Sequence, residues 1–320
     1  MKLQPESEQL LTGRLSALRV DEETLQPHPV GPTQHDAPPS DAAVQRMGIV
    51  AAVAALRAHV AVARVAEEAC AQVAALCHGE RYTGPTSNRQ LAAEAGALEA
   101  VVAAMLAHRQ EASVQEWACQ AARNICCGED PAGLARKQRA VEGRVLEAVT
   151  AAMRTHRQAV GLQESGCATL RNLGCGEFPE APARSQRAAE AGALEAVVAA
   201  MMTHLQAQGV QEQACGALRS MCCSSDDAAR ARAQHAAEVW ALEAVAAALR
   251  THPQVVAVQV EGCAALFNMC YGTDVAAPAR RQRAVQAGGP KVAAAALLAH
   301  PDEAEVQHRG RLVIDRIFGK

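Results

Sequence analysis

The chain repeats itself with a period of 48 residues. The motif Leu-Glu-Ala-Val begins at Leu98, Leu146, Leu194 and Leu242, so each copy lies 48 positions after the one before. Two single-residue columns keep the same step: His108, His156, His204, His252 and His300, and Cys119, Cys167, Cys215 and Cys263. Six units result, which start near Ser40, Arg89, Lys137, Ser185, Ala233 and Arg281. Self-similarity at such a period is typical of stacked supersecondary units.

Each unit divides into three predicted helices. A glycine separates the short first helix from the second, and these glycines are Gly96, Gly192 and Gly288. The third helix carries apolar residues at the 3.6-residue period of one buried face. In the second unit these residues are Val114, Ala118, Ala122 and Ile125, flanked by Cys119 and Cys126.

The composition agrees with helices. Half of the residues are hydrophobic but only 2% are aromatic, so the core must be built from Ala, Val, Leu and Cys. Alanine is the best helix former, whereas strands favour β-branched and aromatic residues. The sequence therefore predicts an all-α fold.

The order of the helices resembles a known repeat. A short helix, a glycine, a longer helix and a third helix that ends in Leu-Arg-Asn-Leu-Gly-Cys-Gly, from Leu170 to Gly176, resemble the armadillo repeat. The resemblance covers residues 40–319, about six repeats, and implies a right-handed superhelical α-solenoid. HEAT repeats are the close alternative. The units are longer than the family norm, and we assign the excess to an extra segment after each third helix, such as GEDPAGLARKQ.

Residues 1–39 are predicted to form a separate tail. The segment QPHPVGPTQHDAPPS is rich in proline and poor in apolar residues, which is typical of disordered linkers. A short amphipathic helix over Leu10, Leu11, Leu15 and Leu18 is the alternative for its first part. We expect no secretory signal and no membrane insertion, and a cytoplasmic location with the nucleus as the alternative.

Charge and chemistry point away from several classes of function. A net charge of -3 gives no electrostatic footprint for nucleic acid. Cysteines seven apart on a helix lie too far apart for a disulfide, so we interpret the cysteines as reduced core residues. The histidine column is interpreted as capping the second helices. No catalytic residue, metal site or cofactor is predicted.

The candidate site lies on the polar side of the third helices. In armadillo proteins the third helices line a concave groove, and an Asn column there binds the backbone of an extended peptide. The candidate groove residues are Asn124, Asn172, Ser220 and Asn268; Arg123, Arg171 and Arg219; Glu116, Glu164 and Glu212; and Trp117 and Phe267. The alternative is that the Asn and Arg columns only tie neighbouring repeats together.

These residues predict a non-enzymatic scaffold or adaptor that binds a protein or peptide partner. The resemblance to armadillo proteins implies that the bound segment of the partner is extended and lies along the concave groove. A cargo carrier is the first alternative, and an enzyme on an α-solenoid, such as a chromophore lyase, is the second. The tryptophan array of nuclear-import carriers is missing, because Gln120, Ala168, Gly216 and Ala264 occupy its positions. Basic residues also open the first helices: Arg136, Lys137 and Arg139; Arg184 and Arg187; Arg230 and Arg232; and Arg280, Arg281 and Arg283. They are predicted to lie on a solvated, salt-bridged edge, with a phosphate or acidic-lipid contact as the alternative.

Overall fold

The computed structural model describes residues 37–80, 84–174, 180–223 and 226–318. Within these ranges the chain forms 18 α-helices and no strand, so the all-α prediction is confirmed. The described residues from Pro38 onward form one compact unit. The predicted tail lies almost wholly outside the described residues.

The helices follow one another in triplets. The first helices are α1 (Asp41–Val44), α4 (Asn88–Glu94), α7 (Pro131–Glu142), α10 (Ala181–Glu190), α13 (Asp227–Glu238) and α16 (Ala277–Gln286). The second helices are α2 (Ile49–Ala58), α5 (Ala97–Ala107), α8 (Val145–Thr155), α11 (Ala193–Thr203), α14 (Ala241–Thr251) and α17 (Gly289–Ala299). The third helices are α3 (Ala63–Cys77), α6 (Ala112–Ile125), α9 (Val160–Gly174), α12 (Gln208–Met221), α15 (Val256–Met269) and α18 (Ala304–Phe318).

Helices of the same kind pack against one another in sequence order. Each third helix contacts the third helix before it and the one after it, and the second helices do the same. The predicted stripe is buried, since Val114, Ala118, Ala122 and Ile125 are all fully inaccessible. The shared core consists mainly of Ala, Val, Leu, Met and Cys, and its small side chains let these helices approach closely.

The junction between first and second helices needs a left-handed residue. Gly96, Gly192 and Gly288 have φ values of 82°, 78° and 88°, which only glycine adopts without a steric penalty. The two remaining described junctions of this kind hold Arg144 and Trp240, at 64° and 72°. The sequence therefore marks the break correctly, but the conformation does not depend on glycine in every unit.

The first helices of the later units begin earlier than the sequence predicts. Most of the extra segment that follows the third helix is the start of the first helix, which in the third unit begins at Pro131 rather than near Lys137. The Asp130 side chain accepts a hydrogen bond from the backbone N–H of Gly133, and a proline is favoured in the first turn. Asp226 caps the fifth unit in the same way, through Ala229. The additional length of each unit is thus helical.

In the part of the chain that the structure describes, no single helix is both long and apolar enough to cross a membrane. The bent pair α4 and α5 meets both criteria only when its two helices are taken together.

Candidate functional site on the third helices

The structure places the predicted site residues on four consecutive third helices, α6, α9, α12 and α15. We call this surface the third-helix face: Asn124, Asn172, Ser220, Asn268, Arg123, Arg171, Arg219, Glu116, Glu164, Glu212, Trp117 and Phe267. Asn124 and Ser220 are buried, and the other ten are half-buried. The face is therefore a set of packed side chains with accessible edges.

The Asn column forms a ladder between units. The side-chain amides of Asn124, Asn172 and Asn268 each donate from Nδ2 to a backbone carbonyl of the preceding third helix, at 2.9, 2.8 and 2.9 Å. Within the described residues, no group donates a hydrogen bond to Oδ1 of these three amides. The column thus ties neighbouring units through its donor and presents an acceptor from the same side chain.

Ser220 interrupts this ladder. Its side chain is shorter than that of asparagine, and its hydroxyl is buried without a hydrogen-bond partner in the described ranges. The Arg171 carbonyl therefore receives no ladder bond from position 220. Of the four units whose described third helices form the face, the fourth unit of the chain is therefore the one without a ladder bond from its Asn position.

The Glu column faces the start of the next third helix. A β carbon at Gly161 would lie 2.5 Å from both carboxylate oxygens of Glu116, and one at Gly209 would lie 2.2 Å from an oxygen of Glu164. The carboxylates therefore rest on the first turns of α9 and α12, where the helix dipole favours negative charge. Burial raises the pKa of Glu116, and the neighbouring charge of Glu164 adds to this rise.

The arginines of the face differ in their partners. Arg171 donates to Glu261 at 2.6 Å and to Gln213 at 3.2 Å, and Arg219 lies 3.2 Å from the other oxygen of Glu261. Glu261 was not among the predicted site residues, because a helical projection of a single unit does not show contacts with other units. Its carboxylate is nevertheless the centre of the charged cluster on this face.

The aromatic residues of the face mark its two ends. Trp117 lies half-buried on α6. Phe267 on α15 packs 5.8 Å from Tyr271, and the Arg316 guanidinium lies over both rings, at 5.1 and 4.5 Å from their centroids. Such cation–π stacking orders the second end of the face.

The predicted basic edge is wrong for half of its residues. The column that opens the first helices is buried, with exposures of 3%, 2%, 2% and 1% for Arg136, Arg184, Arg232 and Arg280. Each Nε donates to a carbonyl at the end of the third helix before it, at 2.6 to 2.9 Å. These arginines cap third helices, because a buried guanidinium can satisfy several carbonyls that have no intrahelical partner.

The histidines cap across units rather than within their own helix. Nε2 of His108 lies 2.6 Å from the carbonyl of Val60, and the next four histidines of the column repeat this contact at 2.7 to 2.8 Å. A carbonyl only accepts, so each Nε2 carries the proton. The ends of the second helices are served instead by a glutamine column that the sequence reading missed: Gln115, Gln163, Gln211, Gln259 and Gln307.

The described cysteines behave as core residues, with two exceptions. Burial raises the pKa of the Cys70, Cys119 and Cys222 thiols to about 12, which keeps them protonated at neutral pH. Cys127 and Cys223 are exposed. In the described ranges no group of three or more His, Cys, Asp or Glu side chains is arranged to hold a metal ion.

The edge formed by the first and second helices carries ion pairs between units. Arg139, Arg187 and Arg283 pair with Glu99, Glu147 and Glu243, each at 2.7 Å. In the same column of the fifth unit His235 replaces arginine and lies 2.8 Å from Glu195. The hydrogen bond with Glu195 raises the pKa of His235. Burial alone would raise the pKa of Glu195, but the bond from His235 and the charges of His235 and Arg154 lower it.

This substitution predicts a pH dependence. The His235 contribution is complete below its unfolded pKa of 6.5 and is lost as pH rises through the higher folded value. The Glu195 contribution is present above 4.5 and is lost as pH falls through the lower folded value. The pair therefore stabilises the fold most between about pH 4.5 and pH 6.5, where Glu195 is ionised and His235 is protonated. His235 is 41% exposed, so we expect Tm to fall by only about 1–3 °C between about pH 5.5 and pH 8.

The measurement compares thermal melting of the chain with that of His235→Arg, which restores the arginine of the other units. We expect the variant to lack this part of the pH dependence. Equal pH profiles for the two proteins would show that the pair contributes nothing.

No protein-family model matches the chain, and no curated protein matches it at a significant level. The candidate site is thus defined by its own geometry.

Proposed function

We propose that the chain is a non-enzymatic interaction scaffold, an armadillo-type right-handed α-solenoid that holds an extended segment of a protein partner along the third-helix face. The Asn ladder carries the proposal. Three amides in equivalent positions are oriented by the same bond to the preceding unit, which leaves Oδ1 of the half-buried Asn172 and Asn268 available to a peptide N–H.

The length of the partner segment follows from the two aromatic ends. Trp117 belongs to the second unit and Phe267 to the fifth, so three helix-to-helix steps separate them. Packed helices lie about 8–10 Å apart, so the distance is about 25–30 Å. An extended chain covers about 3.3 Å per residue, which gives a segment of about eight or nine residues.

The experiment starts from peptides selected from a random display library on the full chain. Trp117→Ser and Phe267→Arg copy residues that other units carry at the same positions, Ser165 and Arg123. We expect each variant to raise the Kd of a selected peptide about tenfold, because buried aromatic anchors contribute about 1–2 kcal/mol or more. Fluorescence anisotropy gives the Kd, and thermal melting confirms folding.

Leu298→Gln is the matched control. Leu298 is 83% exposed and lies on α17, outside the third-helix face. Its replacement should leave the Kd unchanged. Selected peptides that bind all three variants as they bind the unchanged chain would place the binding surface elsewhere and contradict the proposal.

A further inference from the structure

The middle of the third-helix face is closed by an ion-pair cluster that spans three units. Arg171 of the third unit donates to Oε1 of Glu261 in the fifth, at 2.6 Å, although 90 positions separate them. Arg219 of the fourth unit approaches Oε2 of the same carboxylate at 3.2 Å. One buried carboxylate therefore faces two guanidinium groups from different helices.

Glycine at position 216 makes this reach possible. A β carbon on Gly216 would lie 2.6 Å from both Cδ and Nε of Arg171, so the arginine side chain lies directly across the backbone of α12. The corresponding positions of the neighbouring third helices hold Ala168 and Ala264. The fourth unit is thus the one in which a side chain from the preceding unit can cross to the next.

Among the described residues, only one oxygen of the Glu261 carboxylate accepts a hydrogen bond. Its side chain is only 9% exposed, and Oε2 accepts no hydrogen bond of good geometry within the described residues. The equivalent positions of the three preceding units hold Trp117, Ser165 and Gln213, so the repeat itself does not require an acid. Arg171 and Arg219 retain side-chain exposures of 27% and 32% and are accessible from solvent.

We propose that Arg171 and Arg219 form a binding site for a carboxylate side chain of the partner segment, and that Glu261 occupies this site as an internal competitor when no partner is bound. The inference rests on the proposed function. Guanidinium groups match carboxylates through paired N–H donors, and such charge-assisted bonds are the strong ones. Glu212, which also lies beside Arg171, is 3.9 Å from it, at the limit of an ion pair, so it holds the guanidinium more weakly than Glu261 does at 2.6 Å.

The experiment measures binding of fluorescein-labelled peptides of alternating residues, Glu-Gly, Lys-Gly and Gln-Gly, to the full chain by anisotropy. Glu261→Gln removes the competitor and keeps the shape of the side chain. We expect this variant to bind the Glu-Gly peptide about tenfold more tightly than the unchanged chain, since one charge-assisted hydrogen bond is at stake. Adding Arg171→Gln and Arg219→Gln to it should abolish the gain.

Glu243→Gln is the matched control, because Glu243 pairs with Arg283 at 2.7 Å but lies on the first- and second-helix edge. No gain with Glu261→Gln, or a gain that persists without the two arginines or appears equally in Glu243→Gln, overturns the inference. If the Lys-Gly or Gln-Gly peptide binds in a manner that depends on Trp117 while Glu261→Gln changes nothing, the proposed function survives and this inference fails. If no alternating peptide binds any variant, this inference fails, and the proposed function is decided by the selected peptides and the Trp117 and Phe267 variants.

Discussion

Replacing Arg136 by methionine is expected to destabilise the chain by about 3 kcal/mol, the largest effect of any single substitution proposed for this protein. The side chain is 3% exposed, and its guanidinium joins three segments. Nε donates to the carbonyl of Ile125 at 2.7 Å, Nη2 to that of Cys127 at 3.0 Å, and Nη1 to Gln90 at 3.2 Å. Methionine fills most of the volume but leaves the buried carbonyl of Ile125 unsatisfied and removes the bonds to the two half-buried acceptors.

Arg139→Met is the control for this prediction. Arg139 lies one turn further along α7, and its ion pair with Glu99 is exposed, with side-chain exposures of 42% and 48%. Exposed pairs contribute about 0–1 kcal/mol, so the control should scarcely change the urea midpoint. Equal losses of unfolding free energy in the two variants would mean that Arg136 does not cap α6.

The two arginines also show where sequence reasoning reaches its limit. Both stand in columns of period 48, and a charged side chain is normally exposed, so the sequence alone assigns both to a solvated edge. Only Arg139 lies there. Arg136 differs in that it follows Ile125, the last residue of the preceding third helix, by 11 positions and donates a hydrogen bond to the Ile125 carbonyl. The equivalent arginines of the next three units donate to a third-helix carbonyl at the same sequence separation.

Contacts within one unit are easier to predict than contacts between units. The buried stripe of α6 and the left-handed glycine at position 96 follow from local periodicity and backbone chemistry. The Arg171–Glu261 pair does not, because it depends on how far the third helices approach one another and on the space above Gly216. The Asn ladder lies between these cases: its column is visible in the sequence, but only the structure shows that Nδ2 is already engaged.

Replacing Gly192 by alanine is expected to destabilise the chain by about 2–3 kcal/mol. A residue with a β carbon at φ 78° costs about 1–2 kcal/mol. The added carbon would also lie 1.9 Å from Nη2 of Arg154, which donates to the Gly192 carbonyl at 3.2 Å. The arginine must move and lose that hydrogen bond, which adds about 1 kcal/mol. Thermal and urea unfolding of Gly192→Ala measure the sum.

The other left-handed junctions between first and second helices indicate how the free-energy cost of a β carbon at such a position can be reduced. Where the preceding second helix carries arginine, at Arg57, Arg154 and Arg250, the left-handed residue is glycine, and this arginine donates to a backbone carbonyl there. Where the same position holds Leu106 or Met202, the left-handed residue is Arg144 or Trp240. The two columns therefore vary together, and at Gly192 the guanidinium occupies the space of a β carbon, whereas at Gly96 and Gly288 a β carbon would lie 3.6 Å from it.

A double substitution separates backbone strain from this collision. Arg154→Met with Gly192→Trp copies the pair at positions 202 and 240, so we expect it to be more stable than the sum of its two single variants by about 1–2 kcal/mol. The strain of the left-handed backbone remains in the double variant, whereas the collision is gone. Additive losses in a double-mutant cycle would show that the positive φ alone requires glycine at position 192. Trp240 would then be tolerated for a reason other than its pairing with Met202.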